Sequence, residues 1–183
     1  RHAIVLSMLL TWVLSAAIVV VILMTPTLLQ TQYGFAAATA LKANSLAIVF
    51  LSIGCVAAGA IVDRVGPALV LLVGGVLLGV SAWLFYSSLK LHPEALLPMY
   101  ALTGLLVGTI AAVPYVMVNA FPAVVRFSGL SFSYNVAYAI FGGLTPLVVS
   151  LMVKWDPLGP AYYVVALCGL AVVIGLYLRR QGR

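Results

Sequence analysis

The side chains able to do chemistry in this chain are few and mostly neutral. Ser128, Ser131, Asn135, Tyr138, Gly142 and Thr145 recur at intervals of three and four. At 3.6 residues per turn they fall within a sector of about 100°, with Tyr134 at its edge. Tyr115 and Asn119 stand four apart, and Ser7, Thr11 and Ser15 repeat that interval near the start of the chain. A further group, Asn44, Ser45 and Ser52, lies between these sets. Amides and hydroxyls exchange hydrogen bonds, and tyrosine faces attract cations. This is the chemistry of recognition: it suits a zwitterion, a quaternary ammonium, or a small acid whose counter-charge comes from elsewhere. For any single Ser or Thr the alternative is a hydrogen bond to backbone or to a neighbouring helix, which binds a bundle together.

Catalysis lacks its parts. The run Gly129, Leu130, Ser131, Phe132, Ser133 does not make a Gly-x-Ser-x-Gly, and His2 and His92 both fall at the ends of apolar stretches, so an intramembrane serine hydrolase is disfavoured. Asp63, Glu94 and Asp156 are far apart in sequence and form no clustered ligand set with His or Cys, so no metal and no cofactor is expected. Cys55 and Cys168 sit singly inside apolar stretches and read as small core residues. The nine Lys and Arg are scattered rather than gathered in a patch, which excludes a nucleic-acid partner.

The medium that positions the polar groups is lipid. Of 183 residues, 65% are hydrophobic and 7% charged, where soluble domains carry about 25% charge; mean hydropathy is +1.25. A bilayer core about 30 Å thick needs roughly 20 apolar residues per helix. Six such stretches run from about Ala3 to Leu29, Ala43 to Val62, Pro67 to Leu89, Ala95 to Val118, Ser128 to Val153 and Pro160 to Leu178. The expected fold class is an all-α membrane protein with six transmembrane helices in one bundle. Four connections are short; only the first, Gln30 to Lys42, has room for more than a turn. With six crossings both termini share a side. That side collects Arg1, Arg64, Arg126, Arg179, Arg180 and Arg183 with Asp63, and the other receives Lys42, Lys90 and Lys154 with Glu94 and Asp156. Basic residues are retained in the cytoplasm, so both termini are expected there.

Polarity repeats with a period of three spans. The first, second, fourth and fifth carry side chains that could line a cavity, while the third and sixth carry almost none and read as outer supports. Gly75 with Gly79, and Gly104 with Gly108, form small-x-x-x-small pairs suited to close helix crossings. Pro114, Gly142, Gly143 and Pro146 mark places where a helix bends.

Two segments carry a resemblance. Gly59, Asp63, Arg64 and Gly66 resemble the Gly-x-x-x-Asp-Arg-x-Gly loop of the major facilitator superfamily. Phe121, Pro122, Val125, Arg126, Ser128, Gly129, Ser131, Tyr134, Asn135, Ala139, Phe141, Gly142, Gly143 and Pro146 are similar to the tenth-to-eleventh helix region of its metabolite:proton symporter family, which includes transporters of proline and betaine, oxoglutarate and shikimate. The resemblance implies helices seven to twelve, the carboxyl-terminal half of a secondary transporter built from two inverted three-helix repeats, in a bacterial inner membrane. It implies alternating access by rocking against an amino-terminal half, with a small metabolite and protons as cargo. Thr11, Tyr115, Asn119, Tyr134, Asn135 and Tyr138 would then line the cavity, and Asp63, Arg64 and Arg126 would form a cytoplasmic gate.

Departures from the family pattern thin that gate: Pro67 and Ala68 stand where further basic residues are usual, Asn119 where an acid is usual, and Arg126 lacks a companion Arg near Val124. No acid, base or histidine lies mid-membrane, so a proton carrier would have to reside in the other half. The chain starts at Arg1 rather than Met, and a preceding segment is expected, without which the bundle would be inactive. The alternative expectation is a six-span protein that works as it stands, a homodimeric carrier or a pore.

Overall fold

The computed structural model describes residues 2–181, and among these the chain is helical with no strand. Six helices are long and apolar enough to cross a membrane: α1 His2–Thr31, α2 Ala37–Val65, α3 Pro67–Ser88, α4 Pro93–Ala120, α5 Ala123–Trp155 and α6 Gly159–Arg180. The first connection is shorter than its sequence suggests, because α2 starts at Ala37 and only residues 32–36 join it to α1. Ala37, Ala38, Ala40 and Ala43 are strong helix formers with no breaker among them, so the helix extends beyond its apolar stretch. The turn between α2 and α3 is tighter still. Gly66 caps α2 with its N–H on the Val62 carbonyl at 2.9 Å and φ +85°, a conformation open to glycine, and Pro67 starts α3. Between α4 and α5 the break falls at Phe121, held extended by Pro122 after it.

Three helix pairs dominate the packing: α3 with α6, α2 with α4, and α1 with α5. Exchanging α1, α2 and α3 for α4, α5 and α6 maps this set of pairs onto itself, so the two three-helix repeats occupy equivalent places. Both glycine pairs sit at the close crossings. A methyl on Gly108 would stand 2.5 Å from the Cys55 nitrogen, and one on Gly104 would meet the Ala47 backbone, so α4 lies backbone to backbone against α2. Gly75 and Gly79 face Cys168 on α6, and Gly175 faces the Ala68 backbone on α3.

Proline shapes the helices that meet in the middle. It lacks an N–H and its ring clashes with the carbonyl four residues earlier. For Pro26, Pro114 and Pro146 that earlier residue is Ile22, Ile110 or Gly142, and each lies in a stretch that leaves α geometry: wide i→i+5 turns at Ala17–Met24 and Tyr138–Gly142, and a tight 3-10 segment at Gly108–Ala111.

Burial is uneven. Only 22% of the most apolar stretch of α2 and 17% of that of α5 is buried, against 44–56% in the other four helices. The two least covered helices are equivalents in the repeat, and α5 is also the helix with the polar stripe.

Candidate functional site

The stripe on α5 starts on the open side of the bundle. Ser128, Tyr134 and Asn135 are exposed, and Ser131 and Tyr138 are half-buried. The Tyr134 and Tyr138 rings stack with centroids 5.6 Å apart, as the four-residue spacing allows. Asn135 donates its amide to the Ser131 carbonyl at 2.8 Å, which leaves its side-chain oxygen free to accept from a ligand. The bundle-facing side of the same segment carries Ser133 and Ala137, both fully buried.

Thr145 departs from the stripe. It is fully buried and donates to the Phe141 carbonyl at 2.6 Å. The cause is the wide turn at Tyr138–Gly142, which inserts about one residue into the helical count and rotates everything after it. The Thr145 hydroxyl, one residue before Pro146, thus bonds back onto a carbonyl inside the wide turn.

The other expected cavity residues lie elsewhere. Tyr115 and Asn119 sit near the end of α4, in a cleft of about 330 Å³ that Leu6, Pro67 and Leu178 also line; the Asn119 amide donates to the Tyr115 carbonyl at 2.9 Å. No hydrogen bond among the described residues joins them to the α5 stripe. Thr11 is fully buried, its hydroxyl donating to the Ser7 carbonyl at 2.8 Å beside Met117 of α4, so it does not reach the open face in this conformation. Asp63 and Arg64 are exposed in the last turn of α2, and neither forms an ion pair among the described residues; the ion pair found there joins His92 and Glu94 at 3.1 Å, at the opposite end of the bundle. Arg126 starts the regular part of α5 and donates from Nε to the Phe121 carbonyl at 3.3 Å. Arg1 and Arg183, counted in the charge balance, lie outside the described residues.

Two hydrogen-bonded clusters escaped the sequence reading. In the first, Tyr100 of α4 donates to the Val21 carbonyl at 2.6 Å and also meets the Asn44 side chain of α2 at 2.6 Å. One hydroxyl has one proton, so with Val21 as acceptor the Asn44 amide must turn its NH2 toward the Tyr100 oxygen. Val21 stands five residues before Pro26, as Phe141 does before Pro146, and both carbonyls accept from a hydroxyl. Thr25 joins this cluster through Tyr86 at 2.7 Å, and Phe85 stacks on Tyr100 with centroids 4.9 Å apart. Tyr33, in the loop above, donates to the Tyr86 carbonyl at 3.0 Å, and burial together with nearby Asp156 pushes its phenol up to about 12, which keeps it a donor at neutral pH. In the second cluster Trp12 of α1 stacks on Phe141, centroids 4.4 Å apart, and donates its indole N–H to the Tyr163 hydroxyl of α6 at 3.0 Å; Tyr163 in turn meets Thr145 at 2.8 Å. The signal available in the sequence was the pair of prolines inside apolar spans, each of which leaves a carbonyl in need of a donor.

Within the bundle there are amides, hydroxyls and aromatic rings, but among the described residues no group of three or more His, Cys, Asp or Glu that could hold a metal. The side chains exposed on α5 are of kinds that hydrogen-bond and stack.

The sequence is similar to those of proteins named as transporters and symporters. The chain is 32% identical over 165 residues to the citrate-proton symporter of Salmonella typhi, which covers 85% of this chain and 37% of the relative. It is 32% identical over 165 residues to an ectoine/proline transporter of Corynebacterium glutamicum, covering 86% and 32%. It is 30% identical over 133 residues to a protein of Staphylococcus aureus named for proline and betaine transport, covering 68% and 28%. The chain thus spans about a third of the length of the curated relatives it matches. No family model and no solved structure matches it.

Proposed function

We infer, from a chain that is related to transporters of the major facilitator type, that this bundle is the carboxyl-terminal half of a secondary active transporter. It rocks against an amino-terminal six-helix half around a shared cavity and moves a small metabolite with protons. The observation that carries this reading is the open face of α2 and α5. Their apolar stretches are the least buried of the six, they are equivalent in the repeat, and α5 presents Tyr134, Asn135 and Tyr138 on that face. Exposed polar groups at membrane depth face protein or a water-filled cavity rather than lipid. A second bundle laid against this face would enclose them.

The charge of this half bears on its share of the work. With no carboxylate, ammonium, guanidinium or imidazole mid-membrane, it offers neutral and aromatic contacts, and the proton carrier belongs to the partner half. Asp63 and Arg64, exposed and without an ion pair among the described residues, would close the cytoplasmic side against that half, with Arg126 beside them. The balance of basic residues supports cytoplasmic termini in a bacterial inner membrane. The test of the site is uptake by the complete transporter carrying Asn135→Ala or Tyr138→Ala: we expect lower transport at undiminished membrane expression, and unchanged kinetics in both would return the stripe to packing.

The open face would also be covered by a second copy of this chain. That reading makes the bundle a homodimeric carrier or pore, and it predicts saturable uptake by the isolated chain.

A further inference from the structure

We propose that Trp12, Tyr163 and Thr145 are positioning residues that lock the register of α5 and so aim the Tyr134, Asn135 and Tyr138 face. Its value for transport rests on the function inferred above; the structural argument does not.

The register of α5 is visible in what it buries. Ser133 and Val149 both have no exposed surface. Sixteen residues at about 100° each would put them about 160° apart on an unbroken α-helix, nearly on opposite faces. One extra residue in the wide turn reduces that to about 60°, and both then face the bundle. Leu144 and Val148, which an unbroken helix continuing from Ala137 would turn inward, are 50% and 38% exposed. The turn therefore lets one helix anchor its second half through Thr145 and Val149 while keeping the polar side of its first half outward. If the turn closed to α geometry with the second half anchored, the first half would rotate by about 100°. Tyr134 and Tyr138, eleven and seven residues before Thr145, would then move toward the bundle side.

A chain of directed hydrogen bonds opposes that rotation. The Trp12 indole can only donate, so Tyr163 accepts from it at 3.0 Å. Thr145 gives its proton to the Phe141 carbonyl at 2.6 Å, so across the 2.8 Å contact between them Tyr163 is the donor and Thr145 the acceptor. Every donor in the relay has one use, and it ends on the Phe141 carbonyl inside the wide turn. The Trp12 ring stacked on Phe141 fixes the same residue from its side chain. Three helices, α1, α5 and α6, thus hold one peptide group in place.

The experiment is thiol accessibility in membranes, using the complete transporter with Cys55→Ser and Cys168→Ala. Single cysteines are placed at Asn135 or at Ser133 and reacted with a charged, membrane-impermeant methanethiosulfonate. With the lock intact Asn135→Cys reacts and Ser133→Cys is protected. Adding Thr145→Val, which removes the hydroxyl at similar volume, or Tyr163→Phe, is expected to lower the ratio of the two rates about fivefold or more, the scale of one or two hydrogen bonds; Thr145→Ser restores it. General loosening would also lower the ratio, but by raising the Ser133→Cys rate alone, whereas a register change lowers the Asn135→Cys rate as it raises the other; a ratio that falls with the Asn135→Cys rate undiminished overturns the proposal. An unchanged ratio in both Thr145→Val and Tyr163→Phe overturns the proposal. Should Thr145→Val not reach the membrane, Tyr163→Phe and Trp12→Phe decide the matter. Uptake is scored separately: a shifted ratio with unchanged uptake keeps the lock and removes the α5 face from the transport site.

Discussion

Replacing Gly108 by alanine should weaken the bundle, and replacing Gly59 should not. A methyl on Gly108 would stand 2.5 Å from the Cys55 nitrogen and 2.6 Å from the Gly54 Cα, where non-bonded carbons prefer about 3.5–4.0 Å. Both neighbours are backbone of α2, so no side chain can swing aside and the helices must part by about 1 Å. Overpacking of this kind costs about 1–3 kcal/mol, and backbone against backbone belongs at the upper end. Alanine returns up to about 1 kcal/mol through its helix propensity, which leaves a net loss of about 2 kcal/mol. At roughly 2–4 °C per kcal/mol for a chain of this size, the apparent Tm in detergent should fall by about 4–8 °C. Gly59 has nothing within 4 Å of its Cβ position, so Gly59→Ala keeps the propensity gain alone and should raise the Tm by about 2–4 °C. A thermal scan of the three proteins in one detergent reads the difference in sign. If Gly108→Ala were as stable as Gly59→Ala, α2 and α4 would not cross where the structure crosses them.

Two further substitutions probe the polar groups. Tyr100→Phe strips the donor from the Val21 carbonyl and a partner from Asn44, both inside the bundle, and should cost about 1–3 kcal/mol in the same thermal scan; Tyr115→Phe, at a ring 44% exposed, should cost no more than about 0.5 kcal/mol. In the complete transporter, the gate role proposed for Asp63 has Asp63→Asn lower the maximal uptake rate with little change in KM; a changed KM at an unchanged rate would move Asp63 out of that role.

The six spans were legible because apolar length and short polar breaks are read directly against bilayer thickness. Close crossings were legible at Gly75, Gly79, Gly104 and Gly108, since only a missing side chain lets backbones meet. The residues of the polar stripe keep to one side of α5 as far as Tyr138 and leave it at Thr145, because a uniform 3.6-residue period has no place for a wide turn. Pro146 advertised a disturbance without saying whether the helix would bend, tighten or widen; the hydroxyls available from neighbouring helices bear on that. Ser7, Thr11 and Ser15 share a face as their spacing requires, yet that face points into the bundle, a direction periodicity cannot supply. Trp12 and Tyr163 lie far apart in sequence, and nothing in either segment announces the other.

On the function proposed, this bundle works as one half of a carrier. Uptake of radiolabelled proline, betaine and citrate into proteoliposomes, with an imposed proton gradient, tests it when the isolated chain and the complete transporter are compared at equal protein. Saturable, gradient-dependent uptake of at least one of these solutes is expected from the complete transporter and none from the isolated chain. Saturable uptake by the isolated chain would contradict it and make the bundle a carrier in its own right.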